Sequence, residues 1–283
     1  MTGIYLAGFA GAAYLVTLMI LPVTKEMLTE AGFLRPNFRK EQIPSGVGLV
    51  FFLTALVVLT VERFFIVDDS NVYTFLFAVG GMGFFGLIDD VFGTRGASGL
   101  KGHFKKLILN HEMTTGGLKA LAGGMIALIV SLEFGEGTGF MRWVFLILNA
   151  LIMALSTNAV NLLDLRPGRA GKGFLAVSLF ILIAGTGKIQ LFYLVAVAGS
   201  LIAFLPLDLK AEAMMGDTGS NMLGMTLGYV AVFVLSTPVK VGFFLFLAGF
   251  HLVTEKYSLT KIIENSRFLN YLDMAGRRQK SEE

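Results

Sequence analysis

Three short polar clusters interrupt an otherwise apolar chain, and each carries groups suited to phosphate or metal chemistry. Asp89 and Asp90 follow the run Phe84-Phe85-Gly86-Leu87-Ile88. Adjacent residues on a helix point about 100° apart, so one carboxylate can hold a metal while its neighbour accepts a proton or meets another ligand. The same pair also fits a transmembrane helix that stops at the headgroups. The second cluster, Asn158-Ala159-Val160-Asn161-Leu162-Leu163-Asp164, sets two carboxamides and a carboxylate three residues apart, along one strip of a helix. Carboxamides donate and accept, which suits phosphate oxygens and base edges, and equally suits capping and inter-helix hydrogen bonds. The third cluster is Gly216-Asp217-Thr218-Gly219-Ser220. Its glycines allow close backbone approach, free N–H groups at a helix start attract anions, and Asp217 adds a hard oxygen ligand. Capping by Thr218 or Ser220 is compatible with that role.

The elements that must carry these clusters follow from composition. The chain has 283 residues, 55% of them apolar and only 15% charged, with mean hydropathy +0.73. So little charge cannot cover the surface of a soluble globule of this size. Disorder and a disulfide scaffold are excluded, the latter because there is no Cys. A net charge of +3 is too small an excess for a nucleic-acid partner. An all-α polytopic membrane protein is expected.

Apolar stretches run at Ile4–Leu21, Gly46–Val61, Val72–Ile88, Gly117–Leu132, Trp143–Val160, Gly173–Ala184, Leu191–Pro206, Met222–Val234 and Val241–Val253. They predict about nine transmembrane helices, most near the roughly 20 residues that a bilayer requires. With alternating sides, Arg63, Arg142, Lys188 and Lys240 fall on one face and the other nineteen of the 23 basic residues on the opposite one. Basic loops stay inside, so the N-terminus is expected outside and the long basic loops in the cytoplasm. One transmembrane domain, residues 1–257, would be followed by a cytoplasmic tail, residues 258–283.

All three clusters then lie at the cytoplasmic boundary. Asp89, Asp90, Asp164 and Asp217 would repel one another in a partly dry site, and a divalent cation is the usual remedy. Oxygen ligands, without Cys and with little His, favour Mg²⁺, with Mn²⁺ as the alternative.

In order and spacing, Ile88-Asp89-Asp90-Val91-Phe92-Gly93, the Asn158–Asp164 run and Gly216–Ser220 resemble the motifs of the polyprenyl-phosphate N-acetylhexosamine-1-phosphate transferases, glycosyltransferase family 4. Ile43-Pro44-Ser45-Gly46-Val47-Gly48 looks like that family's first cytoplasmic loop, and Lys119 like its cytoplasmic lysine. The likeness spans about Lys25 to Glu255. It implies a bacterial plasma-membrane enzyme with a cytoplasmic active site. There a polyprenyl phosphate attacks a nucleotide diphosphate sugar, such as a UDP-N-acetylhexosamine, and releases nucleoside monophosphate. By this resemblance Asp89 and Asp217 hold the metal, and Asp90 deprotonates or orients the lipid phosphate. Lys119, Asn158, Asn161, Asp164, Gly216 and Ser220 meet the substrates.

Departures bear on the donor. After Asp164 the chain reads Leu165-Arg166-Pro167-Gly168-Arg169-Ala170, where the peptidoglycan enzymes carry a Gly-rich run. Arg166 and Arg169 are placed to clamp phosphate bidentately, or serve topology alone. Met214 and Met215 stand where some relatives carry an aromatic that stacks on uracil. In place of a His-rich signature the chain offers His251 one turn before Glu255, as a diphosphate or sugar contact or as an interfacial residue. His103 and His111, with Lys101, Lys105 and Lys106, read as a basic interfacial segment. Gly80-Gly81-Met82-Gly83 permits close helix contacts within one chain or in a homodimer. A non-catalytic relative or a transport or binding membrane protein is the alternative, though the spans are nearly free of the mid-span charge transporters use.

Overall fold

In the computed structural model, residues 2–65, 71–93, 114–185 and 187–277 are described. Nine long helices are found among them: α1 (Thr2–Glu30), α2 (Leu49–Phe65), α3 (Asn71–Phe92), α4 (Thr115–Leu132), α5 (Phe140–Leu163), α6 (Arg169–Ala184), α7 (Leu191–Leu209), α8 (Gly216–Val234) and α9 (Thr237–Lys256). Each coincides with one apolar stretch. Six of them, α1, α3, α4, α5, α7 and α9, are long and apolar enough to cross a membrane. The protein is therefore an all-α polytopic membrane protein. Lys101, His103, Lys105, Lys106 and His111 lie outside the described residues.

The centre of the bundle is α8, where every residue from Thr218 to Val232 is buried. It packs mainly against α3 and α5. The α3–α8 pair runs antiparallel and is tied at both ends. The Tyr229 hydroxyl donates to the carbonyl of Asn71 at 2.9 Å where α3 begins, and Asp90 binds the first amides of α8 where α3 ends. Contact is close enough that a methyl group on Gly86 would meet the backbone at Asp217 and Thr218, so only glycine fits there. Elsewhere a buried hydroxyl trio joins three helices. Thr17 of α1 bonds Thr54 of α2 at 2.8 Å and Ser200 of α7 at 2.7 Å, the small polar adhesion expected where the surroundings are as apolar as the helices themselves.

The loop between α1 and α2 is not purely irregular. A short antiparallel hairpin, β1 (Leu34–Pro36) and β2 (Gln42–Pro44), pairs Arg35 with Ile43. Asn37 builds its turn by accepting from the amides of Arg39 (2.8 Å) and Glu41 (3.0 Å), an Asx-type local bond that substitutes for longer strands. The hairpin is docked at the start of α8. Met214 donates to the carbonyl of Pro44 at 2.9 Å, and Val47 and Gly48 donate to Met214 and Met215, each at 3.1 Å. Beyond α9, α10 (Leu259–Asn265) and α11 (Arg267–Met274) fold back onto the bundle.

Candidate active site

Four helix ends meet at one end of the bundle: the close of α3, the first turn of α4, the close of α5 and the start of α8. Lys119 of α4 sits at their junction. Its ammonium bonds Asp89 Oδ2 at 2.7 Å and also pairs with the Asp217 carboxylate. The Asn161 carboxamide completes the group, its nitrogen donating to Asp217 Oδ1 at 3.2 Å and its oxygen accepting from Lys119 Nζ at 3.0 Å. Residues spread over a hundred positions of sequence thus form one ionic cluster. Lys119 supplies much of the compensating charge expected of a divalent ion.

The neighbouring carboxylate is engaged differently. Asp90 Oδ1 accepts from the Asp217 amide at 2.9 Å, while Oδ2 accepts from the Thr218 amide at 2.9 Å and the Thr218 hydroxyl at 2.6 Å. A helix start leaves its first amides without intrahelical partners, and an anion placed there satisfies them and opposes the helix dipole. Residue 215, at the cap position of α8, is Met and makes no side-chain cap bond. Asp90 therefore caps α8 from another helix. Gly216 permits this, with φ +69° and a Cα whose side-chain position is filled by the Asp90 carboxylate. The 100° divergence of adjacent residues has split Asp89 and Asp90 between two tasks.

Beside the cluster lies a cavity of about 400 Å³. Its inner wall contains Asp89, Asp90, Gly216 and Asp217, one side is the Asp164–Pro167 segment with Asp208, and the other is the hairpin with Arg35, Asn37 and Phe38. Arg35 donates to the last carbonyls of α3, Asp90 at 3.0 Å and Val91 at 3.1 Å. The Phe38 ring, 45% exposed, has the Arg39 guanidinium 4.9 Å and that of Arg166 5.6 Å from its centroid. Asp208 Oδ2 accepts from the Gly168 amide at 2.9 Å. Burial, and then the negative charge of Asp208, Asp217 and Asp90, pushes the Asp164 carboxyl well above the usual carboxylate range.

Sequence reasoning missed Arg35, Asn37, Phe38 and Asp208. Arg35 counted only toward the basic face and Asp208 carried no signal; the aromatic flanked by Arg35 and Arg39 was the usable one. Four other expected site residues lie away from the cavity. Arg169, expected at phosphate, is buried with Asp273, which it grips through two parallel bonds of 2.8 and 2.9 Å. Ser220 is fully buried inside α8, and its hydroxyl has no partner among the described residues. His251 returns its Nδ1 to the Leu247 carbonyl of its own helix at 2.8 Å. Asn158, one turn before Asn161, is half-buried. None of these four lines the cavity.

Asp89 and Asp217 are the expected metal ligands. Among the described residues no group of three or more His, Asp or Glu side chains is arranged to hold a metal ion. Mg²⁺ commonly takes one or two carboxylates and completes its shell with water and substrate phosphate. Two carboxylates already gathered on one cation, with a cavity beside them, fit that donor set.

A family model described as "Glycosyl transferase family 4" matches residues 72–235. The chain is similar to proteins named phospho-N-acetylmuramoyl-pentapeptide-transferase. That of Clostridium botulinum (strain Eklund 17B / Type B) is 26% identical over 243 residues, covering 83% of this chain and 71% of the relative. That of Acetivibrio thermocellus is 26% identical over 235 residues, covering 78% and 70%. That of Desulforamulus reducens is 28% identical over 255 residues, covering 79% and 72%.

Proposed function

The chain belongs to glycosyl transferase family 4, and from that premise we propose that it transfers a sugar-1-phosphate from a nucleotide diphosphate sugar to a polyprenyl phosphate. The donor is a UDP-N-acetylhexosamine, the released product is the nucleoside monophosphate, and the step opens cell-envelope glycopolymer synthesis. The observation that carries this reading is the Asp89–Lys119–Asp217 cluster, drawn from three helices, whose two carboxylates line one cavity.

In this reading Asp89 and Asp217 hold Mg²⁺, or Mn²⁺ in its place, once the donor diphosphate enters. Bound there, the ion would supply positive charge to the diphosphate and to the departing phosphate. Lys119 is placed to meet the sugar-phosphate oxygens, and Asn161 keeps Asp217 oriented. Arg166 at the cavity edge faces the donor's phosphates. Asp164, on the cavity wall, meets the nucleotide end. Asp90 fixes the start of α8 so that Asp217 and the lipid phosphate meet in register. The excess of basic residues on one predicted face supports nine spans, an outside N-terminus and a cytoplasmic site in the plasma membrane.

The purified protein is tested with undecaprenyl phosphate, Mg²⁺ and a panel of UDP-sugars, with nucleoside monophosphate release as readout. Turnover of at least one donor is expected. Silence across the panel, under conditions where a relative works, defeats the reading.

Base recognition gives a separate expectation. With Met at 214 and 215, the aromatic side chain among the described residues lining this cavity is Phe38, in the hairpin turn and flanked by two guanidinium groups. Base–aromatic stacking is worth about 1–3 kcal/mol. Phe38→Ala should raise KM for the donor about tenfold or more and leave kcat near wild type, whereas Phe38→Tyr should stay close to wild type. Unchanged KM in the alanine variant would place the base elsewhere.

A further inference from the structure

The segment after α9 is attached to the cavity rim through charge. Arg169 opens α6 and, besides its paired bonds to Asp273 of α11, donates from Nη1 to the Thr260 hydroxyl of α10 at 3.1 Å. Arg277 bonds Asp273 Oδ1 at 2.6 Å and donates from Nε to the carbonyl of Pro167 at 2.7 Å. Lys172, one turn into α6, donates to the carbonyls of Leu272, Asp273 and Ala275 at 2.8, 2.8 and 2.7 Å. Burial alone would push the Asp273 carboxyl up, but Arg169 and Arg277 outweigh it and hold it below the usual carboxylate range. It is ionised at neutral pH.

These bonds converge on the loop that joins α5 to α6. Asp208 holds the Gly168 amide from the α7 side, and the Asp273–Arg277 pair holds Pro167 from the other. Both grips close on the peptide bond between Pro167 and Gly168, and just before it Asp164, Leu165, Arg166 and Pro167 line the cavity. The side chains of Asp273 and Arg169 are 6% and 5% exposed. Such a buried pair gives little net stability over an apolar contact, but it tolerates only one geometry, because either partner left alone is strongly unfavourable. Bidentate pairing adds angular definition. The arrangement suits setting a position more than adding stability.

We propose that Asp273 is a positioning residue for donor binding: through Arg169 and Arg277 it fixes the 164–168 loop against the cavity, making the C-terminal helix pair part of the substrate site. The identity of the ligand rests on the proposed function, but the positioning does not.

The test uses the full chain in lipid nanodiscs, with two readouts. Hydrogen–deuterium exchange follows the amides of 164–168, with the start of α8 as internal reference, and steady-state kinetics separates KM from kcat. In Asp273→Ala, exchange in 164–168 should accelerate about tenfold while residues 217–220 stay protected as in wild type. KM for the UDP-sugar should rise about tenfold with kcat within about twofold, the pattern of lost uniform binding. Asp273→Glu should recover most of both. Should Asp273→Ala not fold, Arg277→Ala spares the Arg169 pair, removes the Pro167 bond and should give the same local exchange signature. Unchanged exchange at 164–168 in either folded variant, or general loosening that includes 217–220, overturns the proposal. A protein that turns over no donor but shows local acceleration retains the positioning and loses only the transferase reading.

Discussion

Asp217→Asn is expected to reduce turnover about a thousandfold or more while leaving the protein folded in detergent. The side chain is nearly isosteric, so packing at the start of α8 is kept, and the amide of residue 217 still donates to Asp90. What disappears is the charge that Lys119 and Asn161 converge on. Metal-centred stabilisation of a phosphoryl transition state is worth several kcal/mol, and about 1.4 kcal/mol is a factor of ten in rate, which gives that magnitude. Residual activity should also require more Mg²⁺. Asp89→Asn should behave similarly, since the same ammonium bridges both acids. A wild-type rate in either variant would remove that residue from the metal site.

Asp90 makes a sharper distinction. If it caps α8, Asp90→Ala strands two backbone amides and a hydroxyl that now share its two oxygens. A cap of this type contributes about 0.5–2 kcal/mol, and unpaired buried donors cost about 1–3 kcal/mol each, so a clear fall in Tm should accompany a fall in rate of about a hundredfold. Asp90→Asn keeps one accepting oxygen and should be intermediate in both. Were Asp90 only the proton acceptor for the lipid phosphate, Asn and Ala would be equally inactive with Tm near wild type. Paired thermal and kinetic measurements on the two variants separate these outcomes.

The helices were legible because apolar runs are long and the polar breaks between them short: eight of the nine stretches fall wholly inside helices, the second starting three residues early at Gly46, and all four anticipated acids sit at helix ends lining one cavity. Asp217 and Asp89 were found because Gly-Asp and Asp-Asp interrupt such runs conspicuously. Lys119 was placed in the site by resemblance, but its pairing with both acids was not foreseen, because a lysine on the basic face carries no mark of its partner. The pairing of Arg169 was hidden for the same reason. Its partner Asp273 stands about a hundred positions later in the chain, and no local pattern links them. The hairpin escaped because strands of three residues have no readable alternation, and with it went Phe38 and Asn37.

That α8 is capped from α3 has a consequence for divergence and for engineering. The geometry at Asp217 belongs to neither segment alone, since one supplies the bare amides and the missing side chain at 216 and the other supplies the anion. Chimeras that import only one of the two from a distant relative should inherit a mismatched joint, and successful grafts should be those that move both together.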